Sequence, residues 1–451
     1  MRRPYKAKQN DTAEWNNRKR FLKTIGPKHR KKGYAACDKA YQGGNVPVNC
    51  LLLSVCCGLA SLFAIAITCM KDNFCIQAKH IRGGTNFKTN TPNAPLCSPI
   101  KSEEIRFTLV TQLSTDRLWM MEYHCKRWGN QSPISVAVLT NKTTEETSEA
   151  IVDLGCSREQ LDVKTIHSND KLTDYPVNVL RGIALSSVKT SHVMYVDIDF
   201  WESIDLHGIL LLPAVRKALS DNSKLALVVP AFQLHRQCEE YRDCREINIP
   251  MMPQDREDLI QTLAERKTTI FDPTNRGGHG STRYEVWGNQ EAGDLFEIPC
   301  FRSNRYEPYI AFRYCRDLPP FQTEFSGYGK NKMTFIMHLR RTGYSFAQLG
   351  GTFLVHYPHL NSPSRMEWNR GPEEANPIQR KDGKMYKKSP KEVSVKDWKF
   401  YKRGRVDASF VNFRNWLRLY VKDEALVPMC DDSQDDDARL WIDRSQDIRH
   451  E

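Results

Sequence analysis

Acidic residues are scarce at the start of this chain. Among the first 49 of its 451 residues, 13 are Lys or Arg and 3 are Asp or Glu, which gives this segment a charge of +10. The other 402 residues carry only +2 of the total net charge of +12. A nucleic-acid-binding surface on the folded body is therefore not indicated, because the positive charge is confined to one tail.

Charged residues are absent from the next 21 residues, Cys50–Met70. A helix of that length spans about 30 Å, the thickness of the bilayer hydrocarbon. A buried core helix and a cleaved signal peptide are the alternatives, but 49 leading residues are too many for the charged region of a signal peptide. The basic residues before the span predict a cytoplasmic N terminus, and hence a single-pass type II membrane protein with a lumenal body.

Composition divides the chain into five segments. These are a basic cytoplasmic tail (1–49), a transmembrane signal anchor (50–70), a polar stem (71–100), a folded domain (101–425) and an acidic tail (426–451). Asn141-Lys-Thr is a sequon on the side predicted to be lumenal, so Asn141 is expected to carry a glycan. Asn130-Gln-Ser is a second sequon on that side, weakened by Pro133.

Nine of the 14 cysteines follow the apolar span. The lumen permits disulfides, and an odd number leaves at least one thiol free or paired between chains. Cys238 and Cys244 can close a small loop. Cys75 and Cys97 of the stem are the candidates for a bridge between two copies, which would make a disulfide-linked homodimer.

Apolar runs and amphipathic segments alternate from residue 105 onward. Strands are expected at 105–112, 133–140, 162–166, 193–198 and 225–232, and helices at 114–128, 143–154, 176–190 and 204–219, the last bent or interrupted at Pro213. Short strands that are apolar throughout and separated by helices indicate a mostly parallel sheet covered on both faces. The fold class is therefore α/β and Rossmann-like.

Two aspartates end the fourth predicted strand, in the sequence VMYVDIDF (193–200). Side chains at i and i+2 of a strand point the same way, so Asp197 and Asp199 can converge where ligands bind to open α/β sheets. Oxygen ligands with open positions suit Mn²⁺ or Mg²⁺, which would hold a diphosphate. The spacing alone is weak, since Asp435 and Asp437 repeat it in the acidic tail.

Several blocks of the sequence give that pair its context. They are 108–128, 175–200, YEPYIAFR (306–313), FSGYGKNKMTFIMHL (325–339) and FLVHYPH (353–359). Through these blocks the chain resembles glycosyltransferase family 49 over roughly residues 105–365. That family includes a bifunctional xylosyl/glucuronyltransferase and a β1,4-glucuronyltransferase.

The resemblance implies a GT-A fold over residues 101–425 and an inverting glycosyltransferase in the Golgi membrane. The enzyme would use a UDP-sugar donor, with glucuronate as the family-based choice, and a glycan acceptor that a glycoprotein can carry. Xylose or N-acetylglucosamine as the donor sugar is one alternative. A membrane-anchored glycan-binding protein without activity is another.

The resemblance also implies roles for particular residues. Asp197 and Asp199 would bind the divalent ion and, with it, the UDP; His356 is the first choice for a third metal ligand and His359 the second. The residues expected beside the nucleotide are Thr111, Gln112, Asp116, Arg117, Asn178 and Arg181. Arg181 is expected either to face the diphosphate or to form a structural ion pair.

An inverting transfer also needs a carboxylate that removes the proton of the acceptor hydroxyl. Glu307, in YEPY, matches a family glutamate and is the expected base, with Asp317 and Glu324 as rivals. The chain departs from the family where the animal enzymes have G-F-G-W-N-K, because Lys330 stands in place of the tryptophan. Six basic residues crowd this region, either as a site for an anionic group or as a solvated basic face: Arg302, Arg305, Arg313, Arg316, Lys330 and Lys332.

Overall fold

The computed structural model describes residues 87–129, 131–167, 174–238, 244–371, 378–379, 385–386 and 400–431. The predicted membrane span 50–70, Cys75, the sequon at Asn130 and the tail from residue 432 lie outside the described residues. Within the described part of the chain, no helix is both long and apolar enough to cross a bilayer.

Strands and helices alternate through the first half of the described chain, as the apolar pattern predicts. The strands are β1 Phe107–Ser114, β2 Ile134–Thr140, β3 Leu161–His167, β4 His192–Tyr195, β5 Phe200–Glu202, β6 Leu225–Val229, β7 Ala231–Leu234, β8 Thr268–Ile270, β9 Leu295–Glu297, β10 Tyr309–Arg313, β11 Ser345–Leu349, β12 Leu354–His356, β13 Ile378–Gln379 and β14 Met385–Tyr386. The helices are α1 Met121–Trp128, α2 Thr144–Val152, α3 Val177–Ser186, α4 Leu206–Leu210, α5 Pro213–Asp221, α6 Arg245–Asn248, α7 Arg256–Ala264, α8 Arg276–His279, α9 Tyr284–Trp287, α10 Asn331–Arg341, α11 Pro363–Asn369 and α12 Lys402–Tyr420.

A central sheet of eight strands organises the body, in the order β3-β2-β1-β4-β10-β6-β11-β9. Four neighbouring pairs are parallel, while β10 runs antiparallel to both β4 and β6, and β9 antiparallel to β11. A second sheet has the order β5-β12-β7-β8. The α/β class with a central sheet is confirmed, and the parallel half built from β1 to β4 is the half that the alternating pattern predicts.

Prolines set two boundaries inside predicted elements. The strand expected over 225–232 is divided between β6 and β7 at Pro230, which has no N–H to donate to a ladder. The helix expected over 204–219 is two helices, α4 and α5, and Pro213 is the first residue of the second.

Residues from the predicted stem and acidic tail pack on the body. Ala94 is buried in the main core, and Cys97 forms a disulfide with Cys315. Cys97 is therefore not available for the bridge between two copies that its position in the stem suggested. At the other end, a disulfide joins Cys430 to Cys300.

Two further disulfides lie within the body. The expected small loop between Cys238 and Cys244 is closed, and Cys125 on α1 is joined to Cys156. Four disulfides thus use eight of the nine cysteines that follow the apolar span, and the ninth, Cys75, lies outside the described residues.

Helix α12 was not predicted. Its buried residues Phe410, Phe413 and Trp416 form a second apolar cluster with Phe325 and Met333. Phe410 and Phe413 are spaced for one face of a helix, so the segment did contain a signal. The helix fixes the loop before α10, which leads into the candidate site.

Candidate active site

Asp197 and Asp199 lie in the connection between β4 and β5. Strand β4 ends at Tyr195, and a turn covers residues 198 and 199, so the two aspartates are not on a strand. Their carboxylates consequently have different partners. The two sets of partners divide the site into two parts.

The Asp197 carboxylate is held by cations and hydroxyl groups. Arg181 Nη2 donates to Oδ1 over 2.8 Å, and Lys332 Nζ lies 3.1 Å from Oδ2. The hydroxyl groups of Tyr195 and Tyr309 also donate to this carboxylate. Burial would raise the pKa of Asp197, but Lys332 and Arg181 lower it below its usual value, so the group stays ionised.

Arg181 is only 2% exposed, and its N–H groups donate to acceptors inside the protein. Besides Asp197, its guanidinium reaches the Asn178 and Asn331 side-chain oxygens, both over 2.8 Å. Asn178 in turn donates to the backbone carbonyl of Gln322. Of the two roles expected for Arg181, this geometry shows the structural ion pair, and Asn178 lies in the same internal network.

The Asp199 carboxylate faces a different set of groups. Arg117 Nη1 lies 2.6 Å from Oδ2, His359 Nε2 lies 2.9 Å from it and His356 Nε2 lies 3.8 Å away. Burial would raise the pKa of Asp199, but Arg117 and the two histidines lower it well below its usual value.

One cluster of potential metal ligands stands out among the described residues. One ligand atom each from Asp199, His356 and His359 lie within 4.8 Å of one another, and all three side chains are half-buried. Burial lowers the pKa of His356 to about 3, which keeps its ring neutral and its lone pair available. A carboxylate with two imidazoles fits a divalent transition-metal ion better than Mg²⁺, which prefers oxygen ligands.

The remaining residues expected beside the nucleotide occupy three environments. Thr111 is fully buried, and its hydroxyl has no hydrogen-bond partner among the described residues. Gln112 Nε2 donates to Asp197 over 3.2 Å. Asp116 is exposed and accepts from Ser114, whereas Arg117 contacts Asp199 directly. The structure therefore brings Gln112 and Arg117 to the aspartates and leaves Thr111 and Asp116 outside these contacts.

Glu307 precedes β10 and lies near the Asp197 side of the site. Burial raises the pKa of Glu307, and Asp197 adds to this while Lys332 and Arg305 oppose it. Its side-chain carboxylate forms no hydrogen bond or ion pair with any residue that the structure describes. A half-buried carboxylate with a raised pKa and unused lone pairs has the properties of a general base.

The two rival carboxylates are placed differently. Strand β10 runs antiparallel to β4, with Arg313 opposite His192 at the start of β4, so Asp317 lies at the end of the sheet away from Asp197 and is exposed. Both carboxylate oxygens of Glu324 are buried without a described hydrogen-bond partner. Glu324 consequently remains a rival to Glu307, and Asp317 does not share the site.

The six basic residues of this region are divided between the interior and the surface, since Arg302 and Arg316 are exposed. Lys330 pairs with Asp407 on α12 over 2.9 Å, and Lys332 pairs with Asp197, each with a mostly buried side chain. Arg313 donates to the carbonyl of Ser98. These three cations are therefore already engaged within the protein.

His124 on α1 supports the connection that carries both aspartates, and no prediction from the sequence named it. The ring is fully buried; Nδ1 donates to Glu202 over 2.8 Å and Nε2 donates to the backbone carbonyl of Ile198 over 2.9 Å. Both partners are acceptors, so the ring carries both protons. Burial lowers the pKa of His124, but the neighbouring Glu202 carboxylate raises it by more, so the pKa lies above its usual value.

Replacement of His124 by alanine is expected to destabilise the protein by about 3–5 kcal/mol, because it leaves the Glu202 carboxylate buried without its cation. Denaturant unfolding measures the loss. The matched control is His167→Ala, which removes an exposed histidine at the end of β3. Equal stability of the two variants would show that the buried pair does not support the fold.

Comparison with known proteins places these residues in a family. The family model described as "Glycosyl-transferase for dystroglycan" matches residues 153–384. Mouse "Xylosyl- and glucuronyltransferase LARGE2" is 32% identical over 279 residues, which cover 60% of this chain and 37% of that protein. Human "Xylosyl- and glucuronyltransferase LARGE1" is 30% identical over 262 residues, covering 56% of this chain and 31% of that protein. The chain spans about a third of the length of these relatives.

Similarity to solved structures is slight. The mannosyltransferase PcManGT from Pyrobaculum calidifontis, in complex with GDP-Man and Mn²⁺, has a TM-score of 0.31 and 16% identity, over 68% of this chain and 70% of that chain. GalNAc-T7 with UDP, GalNAc and Mn²⁺ has a TM-score of 0.33 and 10% identity, over 59% and 47%.

Proposed function

Because the chain belongs to the family of glycosyl-transferases for dystroglycan, we propose that it transfers a sugar from a UDP-sugar to a glycan acceptor. The donor sugar that we propose is glucuronate, and the reaction is metal-dependent and inverts the anomeric carbon. The observation that carries the proposal is the cluster of Asp199, His356 and His359, with Arg117 in contact with Asp199. Glu307 adds to it a half-buried carboxylate that has no hydrogen-bond or ion-pair partner among the described residues.

The ligand set supports Mn²⁺ as the bound ion, held by Asp199, His356 and His359. When bound, such an ion supplies Lewis-acid stabilisation of the negative charge that develops on the departing UDP. Arg117 offers a second positive charge at the same place, because its guanidinium already lies against Asp199. Asp197 does not belong to this ligand cluster; with Lys332 and Arg181 it fixes the start of α10 against the connection after β4.

The proton in this reaction passes to Glu307. The acceptor oxygen forms a bond to the anomeric carbon while the bond from that carbon to the UDP oxygen breaks, and the Glu307 carboxylate takes the hydroxyl proton. A single displacement of this kind inverts the configuration. The raised pKa of Glu307 makes it a stronger base than an exposed glutamate, which suits the task.

We also propose a type II topology in the Golgi membrane, with the body in the lumen. Asn141 supports it, since this sequon asparagine is exposed in the bend between β2 and α2. Glycosidase treatment is expected to reduce the mass of the wild type by more than that of Asn141→Gln. A membrane-bound protein that carries no glycan at Asn141 would contradict a lumenal body.

A donor-hydrolysis screen tests the activity. The full chain is incubated with UDP-glucuronate, UDP-xylose and UDP-N-acetylglucosamine in the presence of Mn²⁺, with and without EDTA, and UDP release is recorded. We expect release from UDP-glucuronate that EDTA abolishes. Release from UDP-xylose instead would favour xylose, the other sugar that the relatives are named for. UDP binding that persists in EDTA, without release from any donor, would support a protein that binds but does not transfer.

A further inference from the structure

A large cleft opens on the side of Glu307. Its volume is about 1270 Å³, and its wall includes seven basic and four acidic side chains. Lys330 is one of the basic residues, but it is paired with Asp407 and lies over the Phe410 ring at 4.4 Å. The remaining six are arginines, so the cleft keeps a positive balance after its internal ion pair is formed.

Arg365, on α11, is one of these six arginines, and its guanidinium lies against an aromatic ring of the cleft. Its guanidinium carbon lies 4.2 Å from the centre of the Tyr328 ring. Among the described residues its guanidinium has no hydrogen-bond or ion-pair partner. Stacking uses the flat face of a guanidinium and leaves the N–H groups at its edge directed outward, where they can bind a carboxylate or phosphate in bidentate fashion.

Tyr328 offers an aromatic surface beside this guanidinium. The side chain is 40% exposed, and its ring contacts Trp368 with centroids 5.7 Å apart. Exposed aromatic rings in a polar cleft suit the apolar face of a sugar, while the hydroxyl can hydrogen-bond to it.

Trp368 holds this arrangement in place from the same helix as Arg365. It packs so closely against Gly329 that a Cβ added there would lie 2.3 Å from the indole, and the φ of Gly329 is +100°. Glycine is therefore required at 329 both for backbone conformation and for room. The family's tryptophan is replaced by Lys330 in this loop, and the structure brings an indole to the same loop from α11.

We propose that this cleft is the acceptor subsite and that it selects an anionic saccharide. Arg365 binds a carboxylate or phosphate of the acceptor, and Tyr328 contacts a sugar ring beside it. The inference rests on the proposed transferase function, because Glu307, which takes the proton of the acceptor hydroxyl, lies on the wall of the same cleft.

Binding to immobilised saccharides tests the subsite without donor or metal. The full chain is applied to an array of neutral oligosaccharides and matched members that carry uronate carboxylates or phosphate monoesters. We expect the anionic members to be bound at least tenfold more tightly than the neutral ones. Preference for uronates or for phosphates identifies the source of the negative charge.

Matched variants connect that preference to Arg365. Arg365→Ala is expected to weaken binding of anionic members at least tenfold, and Arg365→Lys to restore it only in part, since lysine keeps the charge but loses bidentate bonding. Arg370→Ala is the control, because Arg370 directly follows the same helix, is 68% exposed and does not line the cleft. Equal binding by the Arg365→Ala and Arg370→Ala variants, equal binding of neutral and anionic members, or binding of none would each overturn the proposal.

The donor screen separates this inference from the proposed function. Both Arg365 variants are expected to bind UDP and Mn²⁺ like the wild type, because Arg365 is not part of the Asp199 cluster. Selective anionic binding in a protein that hydrolyses no donor would support the cleft and contradict the transferase. UDP-sugar hydrolysis without selective binding of anionic saccharides would support the transferase and contradict the role proposed for the cleft.

Discussion

Asp199→Ala is expected to abolish metal-dependent UDP binding and to lower the transfer rate by about 10³-fold or more. The substitution removes the carboxylate from the cluster that His356 and His359 complete, and two imidazoles alone bind Mn²⁺ weakly. It also removes the ion pair that holds the Arg117 guanidinium in place, so the second positive charge beside the leaving UDP loses its fixed position. Free Mn²⁺ measured by electron paramagnetic resonance gives the affinity, and UDP release gives the rate.

The control for this variant is Asp437→Ala, which alters a second D-x-D in the acidic tail. It should bind Mn²⁺ and UDP as the wild type does. Unchanged Mn²⁺ affinity in Asp199→Ala, with a folded protein by circular dichroism, would remove Asp199 from the metal site.

Glu307→Gln is expected to lower the turnover number by about 10²–10⁴-fold while UDP affinity stays the same, because the amide keeps the shape of the side chain but cannot take a proton. Burial raises the pKa of Glu307 above that of an exposed glutamate. The base acts when it is deprotonated, so wild-type activity should fall as the pH falls through this raised pKa. In Glu307→Gln that acid limb of the pH–rate profile should disappear.

The rival carboxylates provide the comparison. Asp317→Asn should retain full activity, since Asp317 is exposed at the far end of the sheet. If Glu324→Gln, rather than Glu307→Gln, removes the acid limb, the base is Glu324.

The parallel half of the fold could be predicted from the sequence because its strands are short apolar runs separated by amphipathic helices. The register and partners of β9 and β10 could not, since both strands are short and join the sheet from distant parts of the chain. Helix α12 could have been predicted, because its phenylalanines repeat with helical spacing. The many basic residues around them make that pattern hard to recognise.

In the site, residue types and spacing indicated the two aspartates and the two histidines. They did not indicate that the histidines lie beside Asp199 alone, while Asp197 contacts Arg181 and Lys332. Asp197 and Asp199 follow a strand instead of ending one, so the i and i+2 argument does not fix their directions. Arg181 could have served either of two roles, and only its contacts with Asn331 and Asp197 decide between them. His124 depends on a partner 78 residues away, which no local pattern shows.

The central claim is that Asp199, His356 and His359 hold the metal that binds UDP. The most direct test is anomalous X-ray diffraction at the manganese absorption edge from crystals of the protein grown with Mn²⁺ and UDP. The account predicts one strong peak bonded to Asp199 and both histidines, with the UDP diphosphate and Arg117 beside it. A peak bonded to Asp197 without the histidines, or UDP bound with no peak, would contradict it.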